Sequence, residues 1–75
     1  MKTQCEQILQ YMEDFGSITP LEAMKDLGVM RLAARISDLR RAGHRISRQT
    51  ETTKNRYDRA VRYARYRLEE TNNAQ

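Results

Sequence analysis

The stretch "SITPLEAMKDLGVMRLAARISDLRRAG", Ser17 to Gly43, constrains the fold more than any other part of the chain, because it carries two helical signatures separated by one glycine. Thr19 and Glu22 stand in capping-box spacing, Ile18 precedes them as a candidate staple, and Pro20 takes the first helical position, where a missing amide hydrogen does no harm. A short helix over about 20–27 follows, with Leu21, Ala23, Met24 and Leu27 expected to face inward. Gly28 can adopt the positive φ of a C-terminal cap, and Val29 can plug the corner. The next helix is predicted over about 30–42, ending at Gly43. Leu32, Ala33, Ile36 and Leu39 share its inner face; Met30, Arg31, Ala34, Asp38 and Arg41 lie opposite, with Arg35 on the flank.

A further helix is predicted upstream, over about 4–14. Thr3 and Glu6 form a second capping box, Cys5, Ile8, Leu9, Met12 and Phe15 make one apolar stripe, and Gly16 ends it. Beyond Gly43 the pattern changes. "HRISRQ" and "YDRAVRYARYRL" read as two strands, about 44–49 and 59–68, joined by an exposed polar loop. A fourth helix competes for the second segment, because Tyr57, Val61, Ala64 and Leu68 also fall at helical intervals. The tail from residue 69 to 75 is expected to be flexible.

Seventy-five residues suffice for one domain with a small core, so an elaborate buried active site is not expected. No nucleophile paired with a base, no paired carboxylates and no phosphate loop are visible, so no enzymatic role, cofactor or small-molecule substrate is expected. Cys5 is the lone cysteine and belongs to an apolar stripe, and His44 has no carboxylate or cysteine near it in sequence; neither suggests a metal. The first residues lack a signal-peptide apolar run, and no segment approaches the ~20 apolar residues of a membrane span, so a cytoplasmic protein without membrane contact is expected.

Charge is distributed unevenly. Residues 1–29 carry two basic and five acidic groups, a balance of −3; residues 30–68 carry twelve basic and three acidic groups, a balance of +9. Eleven of those twelve are arginine, whose planar fork suits phosphates and guanine edges. A merely solvated surface mixes its signs more evenly.

These elements make an α+β chain with a three-helix helix-turn-helix core and a C-terminal two-stranded hairpin wing. "GSITPLEAMKDLGVMRLAARISDLRRAGHRI" together with "RYARYRL" resembles the small winged helix-turn-helix DNA-binding domain of bacteriophages and prophages, over roughly residues 6–68. The resemblance implies a third helix in the major groove and a wing on the backbone or minor groove. One departure concerns the turn. In the compact prokaryotic spacing, core positions of the second helix would fall on Ala34 and Ser37, whereas periodicity puts Ile36 and Leu39 there, which predicts a longer turn.

On the residues alone, Arg31 and Arg35 can bond bidentately to guanine, with Ala34 between them small enough for close approach to a thymine methyl. Met30 and Arg41 share that outward row. Asp38 can accept from cytosine or position a neighbouring arginine, and Arg35 can alternatively pair with Glu6, Glu13 or Asp14. Arg40 is expected to pack its stem inward and snorkel. Thr19 can donate to a phosphate at a helix start, although capping alone explains it. In the wing, Arg48, Lys54, Asn55, Arg56 and Arg59 are expected to track phosphates. Arg62, Arg65 and Arg67 alternate with tyrosines, a pattern that allows base stacking but in a hairpin more often means core packing.

Two functions follow. The first is sequence-specific binding of double-stranded DNA, as a transcriptional regulator or as a replication or recombination accessory factor, with a homodimer or side-by-side assembly supplying affinity. The alternative is a protein-interaction module that offers its basic surface to an acidic partner protein.

Overall fold

The computed structural model describes residues 2–69. Its first helix, α1 (Gln4–Phe15), starts where the sequence places it: Thr3 Oγ1 accepts from Glu6 N (3.2 Å) and Glu6 Oε1 accepts from Thr3 N (2.8 Å). Gly16 closes it with φ 87°, a left-handed conformation that a side chain would strain. Then comes an element the sequence did not announce. Ser17 and Ile18 form a two-residue strand, β1 (Ser17–Ile18).

The second capping box also forms, with Glu22 N donating to Thr19 Oγ1 (3.2 Å) and Thr19 N to Glu22 Oε1 (3.0 Å). It opens α2 (Pro20–Glu22), which continues directly as a wider π-helical turn (Ala23–Leu27). That widening corrects the expected inner face. Leu21 and Met24, expected inside, are 60% and 43% exposed: Leu21 lies about 200° around the helix from the buried Ala23, and the π turn swings Met24 away while Ala23 and Leu27 meet the core. Gly28 (φ 70°) reverses the chain, and Val29 N donates back to Ala23 O (3.0 Å) while its side chain is fully buried.

Four residues, Gly28 to Arg31, separate this turn from α3 (Leu32–Arg41), two more than the expected helix boundaries leave between them. Met30 and Arg31 therefore precede the helix rather than belonging to it. Leu32, Ile36 and Leu39 are buried. Ala33, expected inside, is exposed, and Ala34, expected outside, is half-buried. An alanine methyl is acceptable on either flank, so only the three large side chains fix the helix rotation.

The chain ends in an antiparallel hairpin, β2 (Ile46–Lys54) and β3 (Ala60–Leu68), with no fourth helix among the described residues. The first strand extends five residues beyond the predicted Gln49, so "TETTK" is strand rather than loop; threonine favours the extended backbone. β1 joins the other side of β3, pairing Ile18 with Tyr66 and giving the sheet order β1-β3-β2. The sheet thus has three strands where two were expected.

Ile8 and Met12 of α1, Ile18, Ala23, Val29, the three α3 residues, and Ile46, Ala64 and Tyr66 of the sheet make one core. Cys5 packs against it from the edge. Phe15, expected in the α1 stripe, is 70% exposed, because the chain turns at Gly16 and the ring rests on Tyr11 instead (centroids 4.7 Å). Tyr11 ties α1 to the π turn by donating to Asp26 Oδ2 (2.6 Å), and that carboxylate pushes the phenol pKa up to about 12. At the other end, Glu69 N donates to Arg45 O (2.8 Å) and Ser47 Oγ to Glu69 Oε2 (2.7 Å). Residue 69 is thus held by two hydrogen bonds; residues 70–75, the rest of the tail expected to be flexible, lie outside the described part.

Candidate nucleic-acid interface

The outer side of α3 is organised by one carboxylate. Asp38 reaches Arg35 Nη2 at 3.1 Å and Arg41 Nη1 at 3.6 Å, each three residues away on the helix. Asp38 thus holds two arginines, and Arg35 finds its partner on its own helix rather than on α1. Arg35 Nε is buried with no hydrogen-bond partner among the described residues. Ala34, Arg35 and Asp38 form a half-covered flank; Ala33, Ser37, Arg40 and Arg41 are exposed. Arg40 is not free, since its Nε and Nη2 both donate to Ile46 O (3.2 and 2.9 Å) and lock α3 to β2.

Met30 and Arg31 project at the start of α3, where Arg31 is the residue before the first turn, with an extended-side backbone (φ −117°, ψ 64°) and no side-chain cap bond. Beside them lies a depression of about 330 Å³ lined by Pro20, Met30, Arg31, Ala33, Ala34 and Tyr66. Thr19, by contrast, is only 5% exposed and its hydroxyl accepts the Glu22 amide, so capping accounts for it.

Alternation along the hairpin sorts its residues into two faces. One face carries Ile46, Leu68, Tyr66 and Ala64 against the helices; on the same face Arg48 and Thr50, opposite Tyr66 and Ala64, are exposed, and so are Thr52, Arg62 and Lys54 beyond them. The opposite face is knitted together. Tyr63 donates to Glu51 Oε1 (2.8 Å), and Arg65 reaches Glu51 Oε2 through Nε (2.9 Å), Ser17 Oγ through Nη1 (2.8 Å) and Glu22 Oε1 (3.9 Å). The hydrogen bond from Arg65, then that from Tyr63, holds the Glu51 carboxyl below the usual range, and Glu51 in turn raises the Arg65 guanidinium. Of the interleaved tyrosines, Tyr66 is core and Tyr63 is bonded in this network.

The loop at the wing tip is shorter than expected, residues 55–59. Asn55 builds it: its Oδ1 accepts from Tyr57 N (2.9 Å) and Arg59 N (3.1 Å), its N donates to Arg59 O (2.9 Å), and its O accepts from Asp58 N (3.0 Å). Asp58 takes φ 65°, which aspartate tolerates better than most residues, and its carboxylate meets Lys54 Nζ at 3.4 Å. Arg48 and Lys54 therefore stand on a strand, Asn55 serves the turn, and Arg56, Tyr57 and Arg59 are exposed around it. Two exposed residues in this region, Ser37 and Tyr57, were absent from the sequence-based set. Ser37 was legible as a polar outward position; Tyr57 was obscured by the competing helical register.

A helix corner with a basic outer side and a basic hairpin on a three-stranded sheet is now a complete arrangement, and the sequence profile of the winged helix-turn-helix domain matches residues 3–71. The chain belongs to the winged helix-turn-helix family. No curated protein and no solved structure gives a significant match. A winged helix-turn-helix domain points to DNA as its partner. Among the described residues no group of three or more His, Cys, Asp or Glu could hold a metal, and no helix is long and apolar enough to cross a membrane.

Proposed function

We propose that this winged helix domain binds double-stranded DNA sequence-specifically, with α3 in the major groove and the hairpin along the backbone. One observation carries the reading. The sheet face that packs on the helices also carries the exposed Arg48 and Arg62, for which no acidic partner is seen among the described residues, on the side where α3 also lies, while on the opposite face Arg65 is paired with Glu51 and Glu22 and Arg67 stays exposed. Open arginines on the helix-bearing face, next to the basic outer side of α3, suit a single polyanionic surface.

Within that frame Met30, Arg31, Ala33, Ser37 and Arg41 are the groove-facing candidates, with Ala34 beside the depression at the helix start. Arg35 and Asp38 act as a positioning pair, and Arg48, Lys54, Arg56 and Arg59 contact phosphates. Asn55 and Thr19 act by shaping the wing turn and the α2 start. The resemblance to phage and prophage domains favours a regulator, or a replication or recombination accessory factor, assembled as a dimer or side by side because one small module reads few base pairs. Selecting bound duplexes from a random pool tests the proposal: an enriched motif is expected, and equal recovery of all sequences would reduce the protein to a nonspecific binder.

A second reading, docking of an acidic partner protein, draws support from a groove of about 540 Å³ behind the hairpin, where Leu21 and Val61 are exposed beside the basic strands. It predicts loss of partner binding from Leu21→Asp with duplex binding unchanged.

A further inference from the structure

We propose that Tyr57 is a nucleobase-stacking residue that inserts its ring at a base step of the bound duplex, a role that rests on the DNA-binding reading above. The sequence-based set of phosphate contacts surrounds this residue without including it. Tyr57 is the most exposed large apolar side chain among the described residues, at 79%. Exposed aromatics on mobile loops are unremarkable, but this loop is built to be still. Asn55 closes it with three hydrogen bonds to the Tyr57 and Arg59 backbones, Asp58 N adds a fourth to Asn55 O, and Lys54 pairs with Asp58 across it. None of these bonds uses the tyrosine ring, so the turn would form with a smaller residue there. The ring is presented outward on a fixed frame.

Its neighbours define what it can meet. Arg56 and Arg59 are exposed on either side, so a ring entering a groove at this tip is flanked by two guanidiniums able to take phosphates. Every base offers a π face, and an aromatic side chain gains from stacking on it without regard to hydrogen-bond pattern. Wedge side chains enter the duplex most easily at flexible pyrimidine–purine steps, because those steps unstack at least cost. Tyr57 thereby adds a preference for deformable sequence at a place where the arginines read only charge.

The chain contains no tryptophan, so Tyr57→Trp places the single indole of the protein at the wing tip. The full chain is titrated with a selected duplex and with an unrelated duplex of equal length. Expected are quenching of the indole emission on saturation with the selected duplex, and a loss of affinity of about 5- to 150-fold for Tyr57→Ala. Tyr57→Phe should stay near wild type. The slope of log affinity against log salt should be unchanged in Tyr57→Ala, whereas Arg56→Ala lowers it by roughly 0.9, since stacking releases no counterions. Emission that stays unquenched in the saturated complex, or Tyr57→Ala binding within about twofold of wild type, overturns the stacking role and leaves the DNA-binding reading standing. Failure of the wild-type chain to bind either duplex at low salt overturns both.

Discussion

At the base of the hairpin, Ile46, Ala64, Tyr66 and Leu68 lie against the helices; toward its tip, Thr52, Lys54 and Arg62 occupy the same face of the same strands, are exposed and stand outside the core. Both regions share one register and one twist. They differ in what covers them, and this separates fold from function along a single pair of strands. The base answers to packing, so its substitutions should register in stability. The uncovered end answers to a partner, so its substitutions should register in binding and leave melting almost unmoved.

The sharpest way to break that division is to exchange the expected effects. Tyr66→Ala should destabilise the domain by about 3 to 5 kcal/mol and Ile36→Ala by about 2 to 5, while Thr52→Ala stays within about 0.5. Chemical denaturation gives all three values. A large loss from Thr52→Ala would mean that the far end of the hairpin is held by contacts of its own. Near-wild-type stability of Ile36→Ala would rotate α3 and its exposed flank with it.

Binding measurements sharpen the comparison next. Arg31→Ala should lower affinity for the preferred duplex by about 1 to 3 kcal/mol while affecting an unrelated duplex less, so that the specificity ratio falls. Equal losses on both duplexes would assign Arg31 to a phosphate. Lys54→Ala and Arg56→Ala should weaken all duplexes alike and each reduce the salt slope by roughly 0.9. Arg65→Ala, on the opposite face, should leave that slope unchanged and instead lower the melting temperature. A slope change from Arg65→Ala would remove the distinction between the two faces.

The smallest effect concerns acid. Glu51 has a folded-state pKa below its unfolded value, so its contribution is present above the ordinary glutamate range and is lost as pH falls through the folded value. Glu51→Gln should therefore be less stable than wild type at neutral pH, with the two curves converging in acid. Parallel curves down to low pH would show that the Arg65 pair contributes nothing.

Local signals were the legible part of this fold. Both capping boxes and the glycine stops at Gly16, Gly28 and Gly43 lie within a few residues of what they control, and each appears where the sequence puts it. What stayed hidden depended on distance. β1 is two residues long and exists only because β3 passes beside it. The inward and outward roles of Ala33 and Ala34 were exchanged because neither side chain is large enough to settle its own position. The length of β2 was concealed by polarity on both faces, which removes the alternation that normally marks a strand. The open and the neutralised arginines could not be told apart either, because Arg65 meets Glu51 diagonally across the hairpin and Glu22 from α2, contacts set by tertiary structure.

β2 is the outermost strand of the sheet along its whole length, and among the described residues no strand lies beside the backbone amides and carbonyls on its outer side. Such a border is where a second chain can add itself and begin an aggregate. After Ile46 the strand reads Ser, Arg, Gln, Thr, Glu, Thr, Thr, Lys, without one apolar side chain. A neighbour docking here would gain main-chain bonds but no apolar burial, and its own copy of the strand would set cation against cation in several registers. Replacing Thr50 and Thr52 with valine would supply the missing apolar contact, and turbidity growing with concentration in that variant is the expected sign that the polar threonines keep this border closed to other copies.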